Sequence, residues 1–208
     1  MTQVLDDSGI ERLRASGDEE LGVLFEEYAD RLDRIIDLRL DARLTGRVDP
    51  ADVVQETFLE AQKKLPRYLE NASVPTFVWL RGVALDTLVH VHRRHLAQMR
   101  DAGLDVSIHG HADNTGVSSQ SLAGWLVGDL TSPSQAVQRE ETVAKVAEAL
   151  ESLDEIDREV LVLRHFEQLS NDEVAAIVGV KKAATSRRYT RALIRFKDAV
   201  EGLPGFDW

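Results

Sequence analysis

A chain of 208 residues is long enough for one large domain or two small ones, and 43% hydrophobic with 29% charged residues is a globular composition. The absence of cysteine excludes disulfides, a thiol nucleophile and thiolate-bound zinc, and it fits a reducing cytoplasm, the expected location. A net charge of −11 argues against a protein that coats nucleic acid non-specifically.

The opening MTQVLDDSGIERL is acidic and lacks an apolar core, so it does not read as a secretory leader. No apolar run approaches the roughly 18 residues of a membrane span, so no membrane insertion is expected. Residues 1–18 read as a tail. Leu21, Leu24, Phe25, Tyr28, Leu32, Ile35 and Ile36 recur at spacings of three and four, which predicts a helix over 19–44. Asp49-Pro50 is an N-cap followed by proline at the first helical position, where a missing N–H costs nothing. The next helix runs from Pro50 to about residue 64, with Val54, Phe58, Ala61 and Leu65 on one face, and Pro66 ends it. After a loop at 70–75 a third helix turns Phe77, Leu80, Ala84, Leu88 and Val91 inward and ends in the basic stretch from His90 to His95.

Residues 101–133 read as a linker rich in Gly, Ser and Asn. The piece SLAGWLVGDL within it is too apolar for a spacer and is expected to dock, within the chain or on a partner. If the two domains pack together in the free protein, Trp125 and Leu126 are expected between them, with the DNA surfaces occluded. Three S-x-x-E/Q patterns follow, at Ser132-Gln135, Ser152-Glu155 and Ser170-Glu173, the first with Pro133 at a helix start. They open helices with inward faces of Val143, Val146, Ala147 and Leu150, then Ile156, Val160, Leu163 and Phe166, then Val174, Ala175, Ile177 and Val178. Gly179 stops the last of these, and a final helix runs from about 182 to 200 with Tyr189, Ala192, Leu193, Phe196 and Val200 inward.

The charge distribution along this last helix is the strongest local signal. Residues 181–197 carry Lys181, Lys182, Arg187, Arg188, Arg191, Arg195 and Lys197 and no acid, in a chain that is otherwise acidic. A short helix, a glycine turn and a basic helix form the helix-turn-helix plan, whose second helix enters the major groove with its N-terminal half. Ala175, Ala183 and Ala184 are small enough for a close helix crossing. Lys182, Ser186, Arg187, Arg188, Arg191 and Arg195 are left for DNA.

The segment SLDEIDREVLVLRHFEQLSNDEVAAIVGVKKAATSRRYTRALIRFKD resembles the C-terminal promoter-reading domain of bacterial RNA polymerase sigma factors of the extracytoplasmic-function group. DPADVVQETFLEAQKKL, residues 49–65, resembles the helix with which such factors grip core polymerase, and FVWLRGVALDTLVHVHRRH, residues 77–95, their promoter-melting helix. The resemblance implies an all-α protein of two small helical domains joined by a linker. Residues 19–100 would bind core RNA polymerase and the −10 element, residues 101–133 would run through polymerase as the linker, and 134–203 would form a helix-turn-helix on the −35 element. It implies promoter DNA and core polymerase as partners, and in many members an anti-sigma protein. It implies no enzymatic activity, no cofactor, no metal and no small-molecule substrate.

Carried over residue by residue, the −35 duplex falls to Lys181, Lys182, Ser186, Arg187, Arg188 and Arg191. The −10 strand falls to Trp79, Arg81, Asp86, Arg93 and Arg94, and core polymerase to Asp52, Gln55, Glu56 and Phe58. The chain departs from the family's pattern at Asp86, where an asparagine is common, at His90, where an aspartate often stands, and at Thr185, where an aliphatic residue is common. An ionised Asp86 donates no hydrogen bond; it can accept from a cytosine amino group or pair with a nearby cation. His92 and His95, and His109 with His111, lie near no HExxH motif and no carboxylate cluster, so they do not read as a metal site. The alternative reading is a stand-alone helix-turn-helix regulator with an N-terminal sensing or dimerisation bundle, which would bind a palindromic operator without polymerase.

Overall fold

The computed structural model describes residues 8–101, 117–128 and 136–206, which fall into two compact units, Met1–Gly116 and Val117–Trp208. Among the described residues no helix is long and apolar enough to cross a membrane.

The first unit packs three helices together: α1 (Ser8–Arg39), α2 (Pro50–Glu70) and α3 (Thr76–Asp101). Their inner stripes follow the three-and-four spacing. Leu21, Leu24, Leu32, Ile35 and Ile36 of α1 are buried, as are Val54, Ala61 and Leu65 of α2, and Phe77, Leu80, Ala84, Leu88 and Val91 of α3. Phe25 meets Phe58 edge-on with ring centroids 5.1 Å apart, and Tyr28 tilts against Phe77 at 5.0 Å. The Arg31 guanidinium lies 3.5 Å from the Phe77 ring centre, a cation–π contact.

The described chain begins as helix at Ser8, where the sequence reads as a tail to residue 18. Gly17 (φ 55°, ψ −127°) breaks α1 in a conformation open to glycine. Arg12 pairs with Glu27 at 3.1 Å and with Glu20 at 2.5 Å. A straight helix would separate residues 12 and 27 by about 22 Å, so the chain folds back at Gly17. Leu13 and Ile10 are buried on this returning segment. The apolar pair is short and sits among charges, which hides it from a periodicity reading. Helix α1 ends at Arg39, and a 3-10 turn, Ala42–Leu44, covers the rest of the predicted helix.

Asp49 caps α2 as expected, its carboxylate accepting the Ala51 N–H at 2.9 Å, with Pro50 at the first position. Pro66 does not end this helix, which continues to Glu70. Beyond the proline, Tyr68 is buried, its hydroxyl donates to the Val74 carbonyl at 2.9 Å, and its ring stacks on Trp79 at 4.3 Å and 5°. Burying a side chain of this size contributes about 1.5–3 kcal/mol, comparable with the roughly 3 kcal/mol an interior proline costs.

The second unit holds α4 (Ser119–Gly128), α5 (Ala136–Glu151), α6 (Glu155–Leu161), α7 (Asn171–Val178) and α8 (Lys182–Val200). Helix α4 is the apolar piece of the expected linker. It docks within its own unit, packed on α5, with Leu122, Ala123 and Val127 buried and Trp125 left 48% exposed. Helix α6 continues into a π-helical turn at Val162–Phe166. Its N-cap is Asp154, which accepts the Ile156 N–H at 3.2 Å. The expected cap, Ser152, instead donates its hydroxyl to the Ala149 carbonyl at 2.7 Å, at the end of α5. Val160, Leu163 and Phe166 are buried as expected, but Ile156 faces out and Asp157 is buried beside it. The predicted Ser132–Gln135 cap and the 102–116 stretch lie outside the described residues.

Candidate nucleic-acid interface

Helices α7 and α8 and the turn between them build the helix-turn-helix from local chemistry. The Ser170 hydroxyl accepts the Glu173 N–H at 3.2 Å, and the Glu173 carboxylate accepts the Ser170 N–H at 2.7 Å, a complete capping box. Gly179 closes α7 at φ 70°, and the N–H groups of Gly179 and Val180 both donate to the Ala175 carbonyl, a left-handed glycine cap. Two side-chain contacts connect α8 to α7, one part-buried and one exposed. The Asn171 amide donates to Ser186 Oγ at 2.8 Å, and Lys182 Nζ sits 2.6 Å from Asp172. Thr185 is fully buried in the crossing, and its hydroxyl has no partner among the described residues. Ala175 and Ala184 lie half-buried at the crossing, whereas Ala183, also expected there, faces solvent.

The basic residues of α8 separate into two groups. Lys181 at the cap and Lys182, Arg187, Arg195 and Lys197 of the helix are exposed. Arg188 and Arg191 turn toward α6, where the Asp157 carboxylate is 0% exposed. Arg188 Nη1 donates to Asp157 Oδ1 at 2.7 Å; Arg191 donates through Nε to Oδ2 and through Nη2 to Oδ1, both at 2.7 Å. Arg188 also lies 3.8 Å from Asp154. Burial pushes the Asp157 carboxyl up, and the hydrogen bonds from Arg191 and Arg188 outweigh it and hold the group below the usual carboxylate range. Two side chains expected to face DNA are thus bound to a buried carboxylate. Ser186 is likewise engaged, accepting from Asn171 and directing its hydroxyl at the Lys182 carbonyl.

In the first unit, Trp79, Gly82, Asp86, His90 and Arg93 follow one another at i, i+3, i+7, i+11 and i+14 and share one face of α3. Trp79 is half-buried by its stack on Tyr68; the other four are exposed. Asp86 accepts Lys64 Nζ at 2.9 Å. Arg81 points the opposite way and is only 6% exposed, so it does not belong to this face. Arg94 reaches across to Glu56 on α2 at 3.3 Å.

On α2, Asp52 and Gln55 are exposed and Glu56 is half-buried by its pairing with Arg94. Phe58, expected as their apolar anchor, is instead packed edge-on against Phe25. The large apolar side chain on the outer face of α2 is Leu59, 55% exposed, which sequence reasoning did not single out. At 100° per residue Leu59 lies opposite the buried Val53, Val54, Thr57, Ala61, Leu65 and Tyr68. An apolar residue out of phase with the core stripe was the available signal.

At the C-terminal half of α3, His92 Nε2 accepts the Asp41 N–H at 3.3 Å, so the ring is neutral in this arrangement. Burial pushes the His92 pKa down, with Asp41 opposing and Arg43 and His95 reinforcing. Among the described residues no group of three or more His, Asp or Glu side chains is placed to hold a metal ion. His109 and His111 lie outside the described residues.

A capped helix-turn-helix with a basic second helix, together with a separate three-helix unit, is the build of a DNA-binding protein. Residues 144–196 match the family described as Sigma-70, region 4. The RNA polymerase sigma factor CnrH of Cupriavidus metallidurans is 32% identical over 144 residues, 69% of each chain. The RNA polymerase sigma-H factor of Pseudomonas aeruginosa is 25% identical over 205 residues, 98% of this chain and 97% of the relative. The ECF RNA polymerase sigma factor SigD of Mycobacterium bovis is 31% identical over 149 residues, 72% of this chain and 62% of the relative. A solved structure, CnrH in complex with the cytosolic domain of CnrY, aligns over 93% of this chain and 95% of its own at 20% identity and a TM-score of 0.48. The chain belongs to the RNA polymerase sigma factors of the extracytoplasmic-function group, which act in transcription initiation. Of the two readings the sequence carried, family membership favours the sigma factor over the stand-alone regulator.

Proposed function

We propose that the chain binds core RNA polymerase through the outer face of α2, captures the −10 strand on the outer face of α3, and presents α8 to the −35 duplex. The observation that carries this reading is the strip Asp52, Gln55, Glu56 and Leu59, spaced i, i+3, i+4 and i+7 on the side of α2 facing away from the core. A large apolar side chain more than half exposed amid polar groups suits the anchor of a protein interface with a polar rim.

On α3, Trp79 supplies a ring edge, Asp86 an acceptor beside Lys64, and Arg93 a cation, in line along one face. Single strands are held by that mixture of π surface and positive charge. Arg94, paired with Glu56, joins the two faces. Arg81 is left out of the proposal because it is buried. On α8, Lys181 and Lys182 at the N-terminus suit phosphate and Arg187, one turn on, suits a base edge. The Lys182–Asp172 pair is exposed on both sides and contributes little, so it exchanges readily for a phosphate.

Titration of the full chain against core polymerase tests this. Leu59→Asp is expected to weaken binding about tenfold or more, the scale of a buried interface anchor, with thermal stability unchanged. Equal affinity of wild type and Leu59→Asp would show that α2 is not the polymerase surface.

A further inference from the structure

We infer that Asp157 is a positioning residue for promoter reading. It engages the guanidinium groups of Arg188 and Arg191, fixes the rotation of α8 about its axis, and leaves base recognition to Ala183 and Arg187. The inference rests on the reading of α8 as the −35 helix.

The geometry is specific. One fully buried carboxylate near the start of α6 takes three hydrogen bonds of 2.7 Å from two guanidinium groups on successive turns of α8. Arg191 binds with both oxygens engaged, the fork geometry that fixes direction as well as distance. A helix gripped at two points one turn apart cannot roll without breaking a buried pair. Rolling is the motion that would bring a different set of side chains to the base edges.

The charge consequence is equally direct. Arg188 and Arg191 share the Asp157 charge, so the clamp as a whole carries one positive charge. At the cap and along the N-terminal half of α8, Lys181, Lys182, Ala183, Arg187 and Thr190 are exposed, and Arg191 keeps 48% of its side chain exposed while bound to Asp157. Ala183 and Arg187 are four apart, on one face and one turn from each other. A methyl group suits a thymine methyl, and a guanidinium with no ion pair among the described residues suits a guanine edge. Arg188 would therefore influence −35 recognition through the pose of α8, not by touching a base.

The test is transcription by reconstituted holoenzyme from promoters with a randomised −35 element, alongside thermal unfolding of each variant. Arg187→Ala is expected to relax preference at one or two base pairs by about tenfold and leave the melting temperature unchanged. Asp157→Asn keeps the side-chain shape and removes the charge. It is expected to flatten preference across the whole element, and to steepen the log–log salt dependence of promoter binding by about one to two as the arginines turn to phosphate. Arg188→Ala and Arg191→Ala are expected to lower the melting temperature and weaken all positions together. Wild-type preference and salt slope in a folded Asp157→Asn protein would overturn the inference. So would relaxation at a single base pair in Arg188→Ala or Arg191→Ala, since that is the mark of direct reading. If Asp157→Asn does not fold, the two arginine profiles decide the matter alone. A wild-type holoenzyme indifferent to the −35 sequence would overturn the assignment of α8 itself, and with it this inference.

Discussion

Asp157 carries more consequence than any other single residue in the second unit, because its charge is fully buried and both of its partners lie on the DNA-reading helix. Removing one partner of a buried pair is costly, but Arg188 and Arg191 are partly solvated, at 28% and 48% side-chain exposure, and screening reduces the figure. Arg191→Ala is expected to lose about 1–3 kcal/mol in a denaturant melt, while Arg187→Ala stays within about 0.5 kcal/mol of wild type. A loss of the same size in both would show that the clamp has no special weight. Because the Asp157 carboxyl is held below its usual range, its contribution is complete above about pH 3.9 and is lost as pH falls through the folded value.

His92 in the first unit acts over a different range. Burial lowers its pKa, so the folded state disfavours the protonated ring that the unfolded chain accepts. Stability from the neutral ring is present above about pH 6.5 and erodes as pH falls below it, because protonation removes the acceptor for the Asp41 N–H. His92→Gln keeps an acceptor without the titration. Thermal unfolding between pH 7 and 5.5 is expected to fall for wild type and to fall less for His92→Gln. Parallel curves would contradict the assignment. Asp41, Arg43 and His95 surround this ring, and Asp41 is itself held low by its hydrogen bonds from Arg43.

At the scale of elements, α7 is short, and Val174 is its one buried side chain among the described residues, so its ends matter. Ser170→Ala removes the hydroxyl that accepts the Glu173 N–H and is expected to cost about 1 kcal/mol in the same denaturant melt. A change below a few tenths would mean that tertiary contacts alone hold the helix. This capping box, the Gly179 turn and the bounds of α8 were legible in the sequence because they are local. Each depends on residues within four positions of one another. The features that escaped depend on distant partners. Pro66 sits inside α2 because Tyr68 is held by Val74 and Trp79. Ser152 yields the cap to Asp154 because its hydroxyl is taken by the preceding helix. Asp157 reads as a surface carboxylate until Arg188 and Arg191, 31 and 34 residues away, are brought against it. The same holds for the candidate sites. Asp52, Gln55 and Asp86, carried over from the family resemblance, are exposed; Phe58 packs on Phe25, as its place in the apolar stripe of α2 indicates, and Arg81 is buried, which the resemblance did not convey.

For the whole molecule, the division of labour follows the division of charge. The chain carries −11 overall, and its cationic side chains concentrate along α8 and the end of α3. Such a molecule repels DNA at long range and attracts it over restricted surfaces. It suits a protein that meets DNA with the help of a larger partner. The two units also differ in what they expose. The first presents an apolar side chain in a polar strip on α2, the second a basic helix oriented by a buried carboxylate. Each surface lies on a rigid helix whose opposite face is core, which fixes its direction without loop ordering.

The most direct test of this account is transcription from a pool of genomic fragments by core RNA polymerase reconstituted with the full chain, with Leu59→Asp as the paired control. Start sites that share one −35 and one −10 sequence, and that fall in number and strength with Leu59→Asp, are the predicted result. Start sites unchanged from core polymerase alone, with no co-elution of the chain and the enzyme, would contradict it.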